Sequence, residues 1–227
     1  MSFVRECVED SMPIWEQCLN TEFLRKFEDG TLSEECFAGY ILDDSIYLRE
    51  YAKVFAAGML KAKTLEEVRT YYSFLAFVND GEGTTRVDYL HRWGLSEADV
   101  DAYPARPQNS AYTEFMVRAT QEGTTGAECM MAGLTCMLSY GWIFCTMAQR
   151  SPAVLDGPFG DMVRDYIAPE SEEICIQWVR FANKLCESLT PEEKEKCMAI
   201  FRQSSLCELE FWRMSEQPRR DLAQLFR

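Results

Sequence analysis

A chain of 227 residues, 47% of them hydrophobic, is long enough to bury a sizeable core and falls within the range of one domain. Its 37 acidic against 23 basic side chains leave a formal net charge of −14, which argues against a nucleic-acid partner, because affinity for a phosphate backbone rests on clustered Lys and Arg. The start from Met1 to Glu6 has no basic-then-apolar leader, so a cytoplasmic protein is expected, with its ten cysteines as free thiols and none at the C-x-x-C spacing of structural zinc.

Helix signals dominate and hairpin signals are nearly absent, so an all-α chain in a single domain over 1–227 is predicted. In chain order the helices are expected at 3–19, 22–29, 34–62, 65–93, 110–122, 126–149, 157–167, 170–188 and 191–215. Starts are marked by Ser33 ahead of Glu34 and Glu35, by Thr64 with Glu67, and by Thr190-Pro191-Glu192-Glu193, where Pro takes the first helical position. Stops are marked by Gly30 and Gly94, while Pro104 and Pro107 are expected to break the chain before a start near Asn109 and Ser110. Pro13 is expected to kink the first helix. No internal repeat, low-complexity tract or linker interrupts this series.

Three helical faces carry groups that hydrophobic burial alone does not explain. In the third helix Tyr40, Asp44, Tyr47 and Tyr51 fall at i, i+4, i+7 and i+11, placing a carboxylate among phenols. Such a carboxylate is expensive to bury without hydrogen-bond donors. In the sixth, the stretch from Cys129 to Ala148 is twenty residues without a charge, long enough to span a membrane. Thr135, Ser139, Tyr140 and two glycines dilute it, so it reads as the central buried helix of a bundle rather than a span. There Ala132, Cys136 and Tyr140 share one stripe, and Gly133 is expected to leave room in front of the Cys136 thiol. In the last helix Ser204, Ser205, Glu208, Phe211 and Trp212 share one side, so Glu208 faces aromatics and its pKa is expected to rise into a range useful for proton transfer.

In order and spacing, these stretches resemble the TenA family, thiaminase II, of the heme-oxygenase-like helical superfamily. The family's Q-D-x-x-Y-L resembles Asp43-Asp44-Ser45-Ile46-Tyr47-Leu48, and its nucleophilic Cys with a Tyr four residues on resembles Cys136 and Tyr140. Its S-S-x-x-E-x-x-F-W is matched from Ser204 to Trp212, while Tyr112 after the proline loop and Tyr166 at the end of a short amphipathic segment fall where the family places site tyrosines. The resemblance implies hydrolysis of aminopyrimidine or thiamin to 4-amino-5-hydroxymethyl-2-methylpyrimidine in thiamin salvage, with no cofactor, no metal and a homotetrameric assembly. It implies Cys136 as nucleophile, Glu208 as proton shuttle, Asp44 as the partner of the aminopyrimidine edge, and Tyr47, Tyr112, Tyr140 and Tyr166 as positioning groups. All are expected to line one enclosed pocket.

The single His91 prunes related chemistries, since a di-iron site wants two E-x-x-H-like pairs and a haem wants an axial histidine. His91 is expected to face solvent or pack rather than to activate Cys136. This sequence departs from the family pattern at Thr135-Cys136-Met137-Leu138-Ser139, where Leu138 and Ser139 replace an aromatic wall, and at Asp43, which replaces Gln. Those departures predict a higher kcat/KM for aminopyrimidine than for thiamin. They also motivate an alternative, a non-catalytic ligand-binding or regulatory protein on the same fold.

Overall fold

The computed structural model describes residues 2–80 and 84–226. Among them the chain forms α1 (Phe3–Leu19), α2 (Glu22–Glu28), α3 (Glu34–Lys61), α4 (Leu65–Asp80), α5 (Thr84–Arg92) and α6 (Glu97–Val100). The second half forms α7 (Pro107–Glu122), α8 (Gly126–Arg150), α9 (Gly160–Ile167), α10 (Pro169–Cys186) and α11 (Pro191–Ser215). No strand occurs among the described residues, as the periodicity requires.

The punctuation residues act as their chemistry dictates. Ser33 Oγ accepts from the Cys36 amide at 3.3 Å, and Thr190 with Glu193 forms a reciprocal capping box at the start of α11. Gly30 and Gly94 take φ of 74° and 72°, where a Cβ would be strained. Each sits in a paired 6→1 and 5→2 bond set that closes its helix, Thr31 N to Lys26 O with Gly30 N to Phe27 O, and Leu95 N to Leu90 O with Gly94 N to His91 O.

Several expected boundaries shift. The single helix expected over 65–93 is α4 and α5, and the junction at 81–83 lies outside the described residues. Pro107 starts α7 instead of breaking the chain, because a proline at the first helical position loses no hydrogen bond and pushes Arg106 into extended backbone. The helix expected over 157–167 begins only at Gly160, after a 3₁₀ turn over Pro152–Asp156 and an extended Gly157. α6 and a 3₁₀ segment over Arg220–Phe226 went unpredicted. Pro13 lies inside α1 without ending it.

The buried apolar side chains form one contiguous cluster with α8 at its centre, packed by α11, α3 and α10. Met130, Met131, Ala132, Leu134, Ile143 and Phe144 are all fully buried, so the uncharged run of α8 is covered by protein. The tail folds back through Arg219, whose guanidinium donates to Asp43 Oδ1 at 2.7 Å while Arg106 Nε donates to Oδ2 at 2.7 Å. Asp43 is wholly buried between these two cations, locking the centre of α3 to the start of α7 and the residues after α11.

Candidate active site

Hydroxyl groups fix where α8 and α11 cross. Ser204 Oγ donates to Ala132 O at 3.1 Å and Thr135 Oγ1 to Phe201 O at 3.2 Å, while Trp15 Nε1 donates to Ser205 Oγ at 3.0 Å and ties α1 to α11. Ala132 lies one turn before Cys136, and Ser204 one turn before Glu208, so these bonds anchor the turns that carry both side chains. The paired serines of the sequence motif thus act as struts.

At the crossing, Glu208 is 2% exposed and accepts a 2.7 Å hydrogen bond from the Tyr112 hydroxyl of α7. The Cys136 thiol, 8% exposed, also hydrogen-bonds to Glu208. Burial pushes the Glu208 carboxyl up to about 8; the Tyr112 and Cys136 hydrogen bonds oppose this and the Asp44 charge adds to it. Such a group exchanges protons near neutral pH. Asp44, half-buried on α3, is pushed up to about 6 by burial, opposed by Arg86 and reinforced by Asp43.

Tyrosines fill the space between these acids. The Tyr47 ring stacks on Tyr51 with centroids 5.3 Å apart and lies 5.0 Å from Tyr112, and its hydroxyl donates to Met116 Sδ at 3.5 Å. Tyr40 and Tyr140 share a 3.4 Å hydroxyl contact, with Trp212 5.3 Å from the first ring and 4.9 Å from the second. Tyr166 of α9 closes the far side, 5.4 Å from Tyr140 and 5.0 Å from Phe144. Burial raises the pKa of Tyr40, Tyr47, Tyr112 and Tyr140 well above the ordinary phenol value, so they are neutral donors. Of the seven residues singled out in the sequence, Cys136, Glu208, Tyr112 and Tyr47 form one connected group and Tyr140 and Tyr166 another.

The single enclosed pocket does not appear in the expected form. Asp44 and Tyr166 line a cavity of about 40 Å³ together with Arg86, Tyr89, Met162 and Asp165, and neither Cys136 nor Glu208 lines it. That volume is far below the ~300 Å³ and more of typical small-molecule sites. The packed rings of Tyr40, Tyr47, Tyr112, Tyr140 and Trp212 occupy the intervening space. Across Tyr166 lies a groove of about 280 Å³ whose walls include Met137, Gly141 and Ile174.

Two local readings change. Gly133 leaves no room before the thiol: a Cβ there would stand 2.8 Å from Phe55 Cζ, because α3 packs its rings into that notch, and the Tyr51 hydroxyl donates to Gly133 O at 2.9 Å. Ser139 turns onto its own helix, donating to Cys136 O at 3.4 Å, so it does not form a polar wall. Asp43 points away from Asp44 into its arginine cage. His91 is exposed on α5, as expected. Sequence reasoning missed Arg86, which no spacing links to α3, and left Tyr40 out of the site although its i, i+4 relation to Asp44 pointed there.

The profile of the TENA/THI-4/PQQC family matches residues 9–217. A protein of Halalkalibacterium halodurans named aminopyrimidine aminohydrolase is 30% identical over 220 residues, covering 96% of this chain and 97% of that protein. Among solved structures, a TenA homologue from P. horikoshii OT3 aligns with a TM-score of 0.81 at 25% identity over 95% of this chain and 98% of its own. A Shewanella denitrificans domain of unknown function with a heme oxygenase-like fold reaches 0.74 at 13% identity, over 93% and 91% of the two chains. Full-length similarity in sequence and in the path of the helices leads to one assignment: the chain belongs to the TENA/THI-4/PQQC family.

Proposed function

We infer that this protein is a thiaminase II-type hydrolase, a single-domain aminopyrimidine aminohydrolase of the cytoplasm that supplies 4-amino-5-hydroxymethyl-2-methylpyrimidine for thiamin salvage. The observation that carries the reading is the hydrogen-bonded chain from Cys136 to Glu208 to Tyr112 in a buried, aromatic setting. The name of the Halalkalibacterium relative supports the same reaction.

In this mechanism Glu208 accepts the Cys136 proton, and the thiolate adds to the electron-poor pyrimidine ring. The protonated Glu208 then delivers its proton to the departing amine as the bond to the exocyclic methylene breaks. Water adds at that methylene carbon, its proton returns through Glu208, and expulsion of the Cys136 thiolate restores the aromatic ring. The net change is replacement of the amine by hydroxyl with one water consumed and one amine released. Asp44 accepts from the 4-amino group of the ring, while Tyr47, Tyr112, Tyr140 and Tyr166 hold the ring and the acids in place. Because Glu208 sits at about 8, it serves as acid and base in turn without help from His91. A homotetramer is the expected assembly, testable by light scattering. Mass spectrometry of aminopyrimidine and thiamin mixtures incubated with the purified protein tests the reaction: the hydroxymethylpyrimidine should accumulate, and its absence from both substrates would overturn the reading.

A further inference from the structure

Asp44 has a cationic neighbour that the reaction scheme does not use. Arg86 of α5 lines the same 40 Å³ cavity and is the one cation among the described residues around it. Its Nη1 donates at 2.7 Å to Ser45 Oγ, the hydroxyl next in sequence to Asp44. That hydroxyl donates onward to Ile41 O at 2.7 Å, so its lone pair is held facing the guanidinium. A second nitrogen reaches the exposed Glu97 at 3.4 Å, a contact too long and too wet to tie up the charge. The Arg86 Nε is buried and has no acceptor.

The other groups facing Asp44 do not supply a counter-charge. On its own helix Asp43, although caged by Arg106 and Arg219, adds like charge, and Tyr40 is a neutral phenol. From α8 and α11 come Tyr140 and Glu208, neither of which brings positive charge. From α5 and α9 come Tyr89, Tyr166 and Asp165. A half-buried carboxylate in this company takes up a proton readily unless a fixed cation opposes that, and a guanidinium stays charged throughout the working range.

We propose that Arg86 is the positioning residue for Asp44: braced on Ser45 of the same turn, it shares the cavity wall with the Asp44 carboxylate and keeps that carboxylate placed to accept from the amino group of the pyrimidine. The proposal rests on the reading of Asp44 as the pyrimidine-binding acid. Arg86 acts through Asp44 and through the Ser45 strut rather than by touching the reacting atoms. The arrangement also explains an arginine held 13% exposed by a hydroxyl rather than by a surface ion pair.

Titration calorimetry of the product 4-amino-5-hydroxymethyl-2-methylpyrimidine between pH 5 and 8.5 tests this without involving turnover. Arg86→Met should move the midpoint of the acid limb upward by about one pH unit, weakening binding about twofold at pH 7 and nearly tenfold at pH 5. Arg86→Lys should restore the limb toward its wild-type position, and Arg86→Gln serves the same purpose as Met if the Met variant fails to fold. In an Asp44→Asn background Arg86→Met should have no further effect. An unmoved limb in the folded Arg86→Met or Arg86→Gln protein overturns the proposal, as does an equal shift in Glu97→Gln, which would assign the effect to the surface pair. If Asp44→Asn alone binds product as the wild type does, the reading of Asp44 itself fails. Weakened binding in Asp44→Asn with an unmoved limb in Arg86→Met sinks only the role of Arg86.

Discussion

The Tyr112 hydroxyl donates to Glu208 at 2.7 Å across the junction of α7 and α11, joining residues 96 positions apart. The bond favours the ionised acid and opposes the burial that otherwise pushes Glu208 upward. In Tyr112→Phe that opposition is lost, so Glu208 should titrate above about 8. If the carboxylate form receives the Cys136 proton, kcat/KM should rise with pH to a midpoint near 8 in the wild type and near 9 or above in the variant, with activity at pH 7 lower by roughly tenfold. A pH–rate profile checks both midpoints.

The same burial has a stability signature. The Glu208 carboxyl is raised from its ordinary 4.5 to about 8, so between those values the unfolded chain ionises while the folded chain keeps its proton. Stability therefore falls as pH rises through this window and is unaffected below it. Glu208→Gln does not titrate, so its thermal midpoint should match the wild type near pH 4 and exceed it above pH 8. At ~1.4 kcal/mol per unit the difference is a few kcal/mol. Melting curves at pH 4.5, 6.5 and 8.5 measure it.

The adjacent acids Asp43 and Asp44 face different surroundings, and their substitution should separate stability from activity. Asp43 is fully buried between Arg106 and Arg219, so Asp43→Asn takes the carboxylate from Arg106 and leaves Arg219 only Asp221, and should destabilise the fold by about 3 kcal/mol in denaturant titration. Product binding by the remaining folded protein should change little.

Much of this was legible in the sequence because helices are local. Capping serines, threonines and stop glycines act within a turn, so Ser33, Thr190, Gly30 and Gly94 could be read directly. The site faces were legible for the same reason, as Asp44 and Tyr47, Cys136 and Tyr140, and Glu208 with Trp212 each share one helical side. What was not legible depends on contacts between distant segments. The arginine cage of Asp43 draws on residues 63 and 176 positions away, and the notch at Gly133 is filled by a ring from α3. Pro107 was misread because the same residue breaks a helix in its interior and begins one at its first position.

Substrate preference follows from the departures at Asp43 and beside Cys136. Asp43 is turned into its cage and offers nothing to a cationic thiazolium, and Leu138 and Ser139 leave out the aromatic neighbour that would make a cation–π contact with it. Competition between aminopyrimidine and thiamin in one tube should give the higher kcat/KM to aminopyrimidine; equal or thiamin-favoured turnover would show that these features do not set specificity.

The proposed reaction turns on the thiol of Cys136 held against Glu208, and replacing that thiol by a hydroxyl tests it. Cys136→Ser is nearly isosteric but a far weaker nucleophile at neutral pH. Measured as hydroxymethylpyrimidine released from aminopyrimidine under saturating substrate, turnover by the folded variant should fall by at least ~10³-fold, with product binding within a few-fold of wild type. Turnover by Cys136→Ser within tenfold of the wild type would contradict the account, because the reaction would then proceed without the nucleophile on which every later step depends.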